Sequence, residues 1–556
     1  MSAALAAIYA AGCLATLLTS VAAAAISLRT GARVSVGPAS VVIVFSIYLL
    51  VLQLLKLYAL RDYADFAVWN EIVYNIASGR GAWSSLQEGI MPGTGHWFSA
   101  HFTPLIYIFA VCGSGHWLPV NLLIVQFVIL STAVAGVYVY AKSVLGAAAP
   151  AAAMAAAFVL YPTYQYIQLY EFEMLRFCIP LLILTFFALE RGLLWWYWPL
   201  LGLSLLTREE VAVAAALMGV YAIICLKRRW TGGATVLLSV GYFLLVFELV
   251  IPSFRTRPGS YVAAFWLGGL GTTMPQVLLN SVRHPLTVLG SMLQPVKLAN
   301  LFMYLLPLSL VPLLGGPVLL IAAGNAGLDL LSQSVEHTSY FLYYLSPCVP
   351  FVFIALIKGV KRLGSYIDQI RPRAWNAADG VNAAVCAVLA GALAANLFFG
   401  PSPLSLQFWF RGYRIAPFRT MDFYRAVYRV TARDRELASI VSAIPADARV
   451  AAEQHLLPSL YNRRALKVFP DISGVDWVVI DKRRREKTGI ARIAGSYDGL
   501  RKHPQYYYDW VERDLRWKLV LSRDGYLVYR RLMVARDGAH LMQASGTAMP
   551  GAQAVR

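Results

Sequence analysis

The first side chains that invite a chemical interpretation follow the second apolar block of the chain. The stretch RDYADFAVWNEIVYNIASGRG (residues 61–81) places Asp62, Asp65, Asn70 and Glu71 directly after that block. A carboxylate in such a position can serve as a general base, because it can take the proton of an attacking hydroxyl group. Whether Asp65 does chemistry or only meets water depends on the elements that position it.

The spacing of apolar residues in this stretch predicts a short helix. Residues 65–78 then form an amphipathic helix on the outer membrane surface, with Asp62 or Asp65 as its N-cap. Capping a helix and accepting a proton are not exclusive, so the sequence leaves both roles open for Asp65. The residues at helical spacing are Phe66, Trp69, Val73 and Ile76.

Other charged side chains stand where further apolar blocks begin or end. The stretches GHWFSAHFTP, YEFEMLR and TREE carry most of them, and a later loop adds two cations. A charge at the centre of a bilayer costs about 2.5–3.5 kcal/mol, so such residues face a wet cavity or one another. Contact with interfacial water would explain the position of each of these residues taken singly. Because all of them are predicted to lie on one face of the membrane, however, the set predicts a shared polar site. The candidates are His96, His101, Glu171, Glu173, Arg176, Arg208, Glu209, Glu210, Arg283 and Lys297.

The composition indicates what kind of protein holds these residues. The chain of 556 residues is 58% hydrophobic and only 14% charged, with a mean hydropathy of +0.59. A soluble domain cannot bury that much apolar surface, so the sequence predicts a multi-spanning membrane protein. The six cysteines lie in or beside apolar segments and form no disulfide or metal-binding pattern.

Apolar blocks near the length that a bilayer requires, about 20 residues, recur along the chain. They predict an α-helical polytopic membrane protein with about twelve transmembrane helices. Residues 102–113 are apolar but short, so they are predicted to form a re-entrant or interfacial segment. The predicted spans are 4–28, 39–60, 117–140, 147–163, 174–190, 194–207, 211–226, 233–252, 297–313, 316–333, 339–357 and 380–400.

Basic residues in the short loops predict the orientation. Those that share one side include Arg29, Arg33, Lys142, Arg191, Lys227 and Lys358. That side should be cytoplasmic, because cytoplasmic loops are enriched in Lys and Arg. We therefore predict a transmembrane domain (1–400) in the inner or plasma membrane, with outer loops 61–116 and 253–296. Residues 401–556 then form an extracytoplasmic C-terminal domain.

The tail from about residue 405 onward has a different character. It holds 27 of the 48 Lys and Arg residues and 15 of the 29 Asp and Glu residues, so it carries +12 of the net +19. The stretches ADARVAAEQHLLPSLYNRRALKVFP and DWVVIDKRR predict a strand, a short helix and two further strands. WKLVLSRDGYLVYRR predicts a hairpin that turns at Asp524 and Gly525. A small α/β domain is expected, and its charge does not forbid export, because long domains cross membranes largely regardless of charge.

In their order and spacing, these motifs resemble a family of prokaryotic multi-spanning membrane proteins. The family is classed as a domain of unknown function and is grouped with GT-C-type glycosyltransferases. The resemblance lies in ADFAVWNEIVYNIASGRG, AHFTP, YEFEM, REE and the stretch from VAAEQHLLPSLYNRRALKVFP to DWVVID, and so covers nearly the whole chain. Two positions depart from the family pattern, since Ala100 replaces a usual Asp and Glu173 replaces a usual His.

The resemblance implies an enzyme that takes a sugar from a polyprenyl-phosphate carrier at the outer face, usually with inversion of the anomeric centre. It also implies a catalytic acid near the start of the first large outer loop, a place that Asp65 occupies here. Such transfer needs cations for the departing phosphate, and arginine binds phosphate bidentately. Arg208 is the first choice for this cation, and Arg176, Arg283 and Lys297 are the alternatives.

The remaining candidates, His96, His101 and the four glutamates, are predicted to contact the donor phosphate or the substrate. The glutamates leave one alternative open, because oxygen ligands can gather a divalent cation. Ion pairs with Arg176 and Arg208 are the commoner outcome and are expected here, so no metal site and no certain cofactor are predicted. The glutamates are Glu171, Glu173, Glu209 and Glu210.

The predicted function is therefore a membrane glycosyltransferase with an envelope glycan, lipid or protein as acceptor. Its partners are a polyprenyl-phosphate-linked sugar, that acceptor and membrane lipids, but no nucleic acid. The loop 253–296 is either a lid over the lipid carrier or a plain surface loop, and the basic tail is expected to contact an anionic acceptor. A transporter or flippase is one alternative. Such a protein is expected to have two halves of similar sequence and charged residues near the midplane of the bilayer, whereas here the charges lie at one face. A non-catalytic envelope assembly or sensing protein is the other.

Overall fold

The computed structural model describes residues 3–532, except for 36, 89–94, 114, 256–266, 268–269, 272–273, 371, 373–378, 412, 414–422 and 484–510. Helices fill most of the chain before residue 400, and a small mixed sheet follows. A helical membrane part and a small α/β tail are thus both present, while the boundary at residue 400 stays a prediction. The predicted outer loop 253–296 lies partly outside the described residues.

The helices before residue 400 coincide largely with the apolar blocks. In chain order they are α1 (Ala3–Thr30), α2 (Pro38–Tyr58), α3 (Ala64–Ala77), α4 (Ser85–Glu88), α5 (Leu118–Leu145), α6 (Ala148–Leu160), α7 (Pro162–Leu169), α8 (Cys178–Arg191), α9 (Leu194–Leu205), α10 (Val211–Ile224), α11 (Arg229–Leu245), α12 (Ile251–Ser253), α13 (Met274–Arg283), α14 (Pro285–Met292), α15 (Pro295–Leu305), α16 (Leu319–Leu331), α17 (Val349–Ile370) and α18 (Gly380–Phe399). Short 3-10 turns connect several of them, including Trp97–Ser99, Pro104–Cys112 and Leu175–Phe177.

Within the residues that are described, six helices are long and apolar enough to cross a membrane. They are Ala7–Thr30, Ala39–Tyr58, Leu118–Leu145, Arg229–Ser253, Val311–Leu331 and Gly380–Phe399. Shorter apolar helices occupy Ala148–Leu160, Val211–Ile224 and Pro295–Leu308, so the total of twelve spans stays a prediction. The bounds 339–357 were wrong, because α17 begins only at Val349 and continues to Ile370. Pro347 and Pro350 favour a helix start at this point, since proline fits the first helical turn.

Residues predicted to share the cytoplasmic side do meet at one end of the helical bundle. Lys358 Nζ lies 2.5 Å from Glu190 Oε1, and the hydroxyl of Tyr140 donates to Glu190 Oε2 at 2.7 Å. The guanidinium of Arg228 donates to the backbone carbonyls of Leu189 and Glu190. The loops near residues 142, 191 and 228 therefore lie together, which is consistent with the predicted arrangement of helices.

The tail folds as the strand patterns predict. After the short helix α19 (Leu406–Trp409), it contains helix α20 (Ala432–Ser442) and strands β1 (Arg449–Ala452), β2 (Ala465–Val468), β3 (Trp477–Asp481), β4 (Trp517–Arg523) and β5 (Tyr526–Arg531). In the described part of the tail, the sheet order is β2-β1-β3-β5-β4, with β1 parallel to both β2 and β3. The predicted hairpin between β4 and β5 is confirmed, and Asp524 and Gly525 both adopt positive φ angles as a tight hairpin turn requires.

The tail packs on α3, α4 and the segment before α5. The backbone N–H of Leu466 in β2 donates to Ser85 Oγ of α4 at 2.6 Å, and the hydroxyl of Tyr461 donates to the carbonyl of Gly115 at 2.6 Å. Asn70 Nδ2 of α3 donates to the carbonyl of Pro458 at 3.3 Å. Helix α3 is consequently enclosed between the bundle and the tail.

This enclosure corrects one prediction. Helix α3 exists at the predicted place, but ten of its 14 residues are buried, including Asn70 and Glu71. It therefore does not lie on the membrane surface with a polar face in water. The physical reason is that the tail covers the face that would otherwise meet the solvent.

Candidate active site

The N-terminus of α3 is capped from a distant segment. Tyr63 is the N-cap residue, and no side chain at the start of the helix makes a capping hydrogen bond. Instead, Glu171 Oε1 accepts the backbone N–H of Tyr63 at 2.8 Å, and Glu171 Oε2 accepts that of Phe66 at 3.1 Å. The predicted capping by Asp62 or Asp65 was therefore wrong, because a carboxylate from the turn after α7 occupies the first-turn N–H groups.

The capping carboxylate of Glu171 is fully enclosed. Burial raises the pKa of Glu171 to about 8, although Lys56 and the Tyr63 N–H act in the opposite direction. Lys56 Nζ lies 2.7 Å from Asp62 Oδ1, so Asp62 belongs to an ion pair beside the cap. Asp62 and Glu171 are therefore both buried away from bulk water.

Unlike Asp62 and Glu171, Asp65 is exposed, although most of α3 around it is buried. Its Oδ2 accepts a hydrogen bond from the hydroxyl of Tyr170 at 3.2 Å. The phenol of Tyr344 lies within electrostatic reach of both Asp65 and Arg208. A carboxylate that is accessible, anchored and not needed as a helix cap is what a general base requires.

Arg176 lies over the ring of Tyr170. Its Cζ is 5.4 Å from the centroid of the Tyr170 ring and 5.8 Å from that of Tyr343. Nη1 donates to the carbonyl of Ile167 at 2.6 Å, which satisfies the C-terminal turn of α7. Nε and Nη2 have no hydrogen-bond partner among the residues that the structure describes. This buried guanidinium thus keeps donor capacity for an anion.

Arg208 is surrounded by carboxylates. Its Nε lies 3.2 Å from Glu210 Oε2, and Nη1 lies 3.9 Å from Glu173 Oε1. Burial by itself disfavours the charged guanidinium, but Glu210, Glu173 and Glu209 raise the pKa of Arg208 above its ordinary value. Burial also raises the pKa of Glu210 to about 7, against the influence of Arg208. The predicted ion pairs of Arg208 are therefore present, and they offset the charge of this first-choice phosphate cation.

His101 connects Arg208 to Glu209. Arg208 Nη2 lies 3.1 Å from His101 Nε2, and His101 Nδ1 lies 2.8 Å from Glu209 Oε1. A guanidinium only donates, so Nε2 must accept, and the imidazole is the neutral tautomer with its proton on Nδ1. Burial and Arg208 lower the pKa of His101 in accordance with this assignment. Glu209 Oε2 also accepts the backbone N–H of Phe102 at 2.8 Å, which fixes the segment that follows His101.

Three other predicted residues have different surroundings. Lys297 Nζ donates to the carbonyls of Ser291, Leu330 and Ser332 at 2.7–2.8 Å, so its three protons are already used. Arg283 is exposed at the end of α13. His96 Nδ1 accepts the N–H of Phe98 at 3.2 Å, and its ring stacks on Phe254 with centroids 4.4 Å apart. His96 thus orders the turn before His101, and Lys297 joins the ends of α14 and α16.

The other predicted site residues, together with Tyr170, form one connected cluster. Burial lowers the pKa of His337 to about 2, with further contributions from Arg208, His101 and Lys297, so His337 lies beside this cluster. Glu173 Oε1 accepts the backbone N–H groups of Met174 and Leu175. We call the connected residues the outer cluster, which does not include His337. Its members are Asp65, His101, Tyr170, Glu171, Glu173, Arg176, Arg208, Glu209 and Glu210.

The geometry of the outer cluster does not favour a metal ion. Within the described ranges, no group of three or more His, Cys, Asp or Glu side chains is arranged to hold one. The glutamates are committed to Arg208, to His101 and to backbone N–H groups. The alternative of a divalent cation thus gains no support from these side chains.

Sequence reasoning missed two members of this region. Lys56 lies inside an apolar span, and a lysine in such a block is itself a signal of a buried partner. Tyr170 gives no comparable signal, because tyrosine is common near membrane interfaces. Its position directly before Glu171 becomes informative only when both side chains are seen to meet α3.

Comparison with known proteins adds a family and one distant structural likeness. Among solved structures, the chain is similar to ArnT from Cupriavidus metallidurans bound to undecaprenyl phosphate. The identity is 13%, the TM-score is 0.45, and the match covers 88% of this chain and 98% of that chain. A comparison with curated proteins gives no match.

The family comparison covers most of the sequence. The family described as "Predicted membrane protein (DUF2079)" matches residues 56–528, a range that contains every member of the outer cluster and most of the tail sheet. This extent confirms the family resemblance that the sequence motifs carry. The chain therefore belongs to the DUF2079 family of predicted membrane proteins.

Proposed function

We propose that this membrane protein is a glycosyltransferase that takes a sugar from a polyprenyl-phosphate donor and gives it to a cell-envelope acceptor. The observation that carries the proposal is that Asp65 and Arg176 both contact Tyr170, the first at its hydroxyl group and the second over its ring. One is an accessible carboxylate, and the other is a buried guanidinium with unused N–H donors. A base and an anion-binding cation in one site are the two groups that sugar transfer from a phosphate needs.

In the proposed reaction, the acceptor hydroxyl oxygen attacks the anomeric carbon of the donor sugar. The bond from that carbon to the phosphate oxygen breaks, and the polyprenyl phosphate leaves with the electron pair. Asp65 takes the proton of the hydroxyl group, and the guanidinium stabilises the negative charge of the leaving phosphate. A single displacement of this kind inverts the anomeric centre.

Among the cations of the outer cluster, Arg176 supports phosphate binding better than Arg208. Arg208 already faces Glu173 and Glu210, so a phosphate would have to compete with these carboxylates. Arg208 and His101 then act mainly by holding the segments that frame the site. The sequence predicted ion pairs for both Arg176 and Arg208, but it did not show which of the two guanidinium groups the carboxylates approach more closely.

The membrane part also offers space for a hydrocarbon chain. An apolar groove of about 510 Å³ lies between α2, α5 and α6, lined by Val42, Ile43, Ile47, Phe127 and Val134 among others. Helix α2 leads from this groove to the Lys56–Asp62 pair at the outer cluster. A lipid-linked donor can therefore place its tail along α2 and its phosphate at the site.

The tail domain is proposed to lie outside the cytoplasm and to bind the acceptor. It packs on α3 and α4, so an acceptor held on the tail would be near Asp65. The excess of basic residues in the tail supports an anionic glycan or lipid headgroup.

The decisive experiment gives purified protein a synthetic polyprenyl-phosphate sugar, with a cell-envelope extract as the source of acceptor and water as the fallback nucleophile, and measures release of polyprenyl phosphate. We expect release, and Asp65→Asn should reduce it about 100-fold or more, because the amide cannot take a proton. Glu88→Gln is the matched control, since Glu88 is an exposed acid of the same outer loop. No donor cleavage by wild-type protein, or full activity of Asp65→Asn, contradicts the proposal. A transporter would instead move a substrate and leave the sugar–phosphate bond intact.

A further inference from the structure

Tyr170 and Glu171 are consecutive residues that both hold the start of α3. The Glu171 carboxylate accepts the backbone N–H groups of Tyr63 and Phe66, and the Tyr170 hydroxyl donates to the side chain of Asp65. The turn after α7 therefore fixes the backbone of the helix through one residue and the functional side chain through the other.

The ring of Tyr170 is itself held firmly. It packs against the ring of Tyr343 with centroids 5.0 Å apart, and the guanidinium of Arg176 lies over it. Its backbone carbonyl accepts a hydrogen bond from Gln53 of α2 at 3.3 Å. A phenol anchored on several sides can hold its hydroxyl group in one direction.

The hydroxyl group of Tyr170 has a defined effect on Asp65. A hydrogen bond that is donated to a carboxylate favours the ionised form, which is the form that accepts a proton. The same bond restricts the side-chain rotation of an otherwise exposed aspartate. Among the described residues, Glu171 and Tyr344 also interact electrostatically with Asp65, and an ionised Glu171 acts against the effect of this donor.

We propose that Tyr170 is a positioning residue that orients Asp65 as a base and joins it, through its ring, to the anion-binding Arg176. This inference rests on the proposed glycosyl transfer, which it deepens by assigning the contact between base and cation. Tyr170 itself exchanges no proton with substrate. Its hydroxyl group orients Asp65, and its ring contacts the guanidinium of Arg176.

The test compares Tyr170→Phe with wild-type protein, because phenylalanine keeps the ring and removes only the hydroxyl group. Transfer is measured as kcat/KM against pH. The acid limb of the profile should move upward by about one pH unit, since the carboxylate loses a donor. Tyr164→Phe is the control. Tyr164 is a buried tyrosine of helix α7, which ends just before Tyr170, and among the described residues its hydroxyl donates to the carbonyl of Leu130.

A second measurement does not depend on transfer. Carbodiimide with a labelled amine modifies protonated carboxyl groups, and peptide mass spectrometry reads the labelling of Asp65 as a function of pH. In Tyr170→Phe the pH of half-labelling should rise by about one unit, with Tyr164→Phe unchanged. Identical labelling curves for wild type and Tyr170→Phe overturn the positioning role, even if transfer is observed. Shifted labelling without any transfer leaves the positioning role standing and contradicts the glycosyltransferase function instead.

Discussion

Glu171 Oε2 accepts the backbone N–H of Phe66 at 3.1 Å, although 105 positions separate the two residues in the chain. The helix that carries Asp65 is thus capped by the membrane bundle and not by its own sequence. Because the cap is supplied elsewhere, the carboxylate of Asp65 does not serve as the cap of its own helix. This arrangement leads to the first of the testable predictions.

Removing the cap should disturb both stability and the site. Glu171→Ala leaves the N–H groups of Tyr63 and Phe66 without their acceptors, and loss of an N-cap costs about 1–2 kcal/mol. We expect a lower melting temperature in detergent together with reduced donor cleavage, because the start of α3 moves.

A matched control for this prediction exists in the tail. Thr431 caps helix α20 through a capping box with Asp434. Thr431→Ala should cost a similar free energy of unfolding and leave donor cleavage unchanged. Equal loss of cleavage in both variants would show that Glu171 acts only through overall stability.

Arg208 should be essential for folding of the outer cluster. Arg208→Ala leaves Glu173, Glu209 and Glu210 buried without their cation, and breaking a buried ion pair in this way costs about 3–5 kcal/mol. We expect a strong fall in melting temperature. Arg464→Ala removes an exposed arginine and should change the free energy of unfolding by less than about 0.5 kcal/mol. A small effect of Arg208→Ala would mean that the three acids are not held by this guanidinium.

Glu71 should give the stability a distinct pH dependence. Burial raises the pKa of Glu71 to about 7, although hydrogen bonds from Ser84 and Ser85 at 2.6 and 2.5 Å act against this. In the unfolded chain a glutamate has a pKa of about 4.3, so Glu71 binds its proton more tightly in the folded state. The contribution of Glu71 is therefore fully present below about pH 4 and is lost as pH rises through about 7.

The variant Glu71→Gln isolates this contribution. Wild type and Glu71→Gln should be similarly stable near pH 5, and the variant should gain stability relative to wild type near pH 8, by up to roughly 3 kcal/mol. Thermal unfolding at both pH values measures the difference. Glu88→Gln, an exposed acid on the same segment, should show no such change between the two pH values. A constant difference between wild type and Glu71→Gln would refute the prediction.

Ser85 should couple the outer helices to the tail. Its hydroxyl donates to Glu71 and accepts the backbone N–H of Leu466, so Ser85→Ala removes two hydrogen bonds at the contact between α4 and β2. Each buried group left without a partner costs about 1–3 kcal/mol. We expect faster hydrogen exchange in β2 and faster proteolysis after α4. Ser522→Ala changes an exposed serine of β4 and serves as the control. Unchanged exchange in β2 would contradict the coupling role of Ser85.

The sequence by itself determined the features that depend on local or repetitive patterns. Blocks of about twenty apolar residues can satisfy their backbone groups in a bilayer only as helices, so the helical bundle follows from composition. The hairpin at Asp524 and Gly525 follows from turn residues that adopt positive φ angles. The position of α3 was also predictable from its helical spacing, because that signal lies within 14 consecutive residues.

Only the tertiary structure decided how the polar residues are used. The sequence assigned the cap of α3 to a nearby aspartate, whereas contacts across the bundle give it to Glu171, and the same contacts show which acids pair with Arg208. The tautomer of His101 and the spare donors of Arg176 likewise depend on partners from other segments. A buried charge takes its role from whichever groups replace its lost water, and those groups come together only when the helices pack.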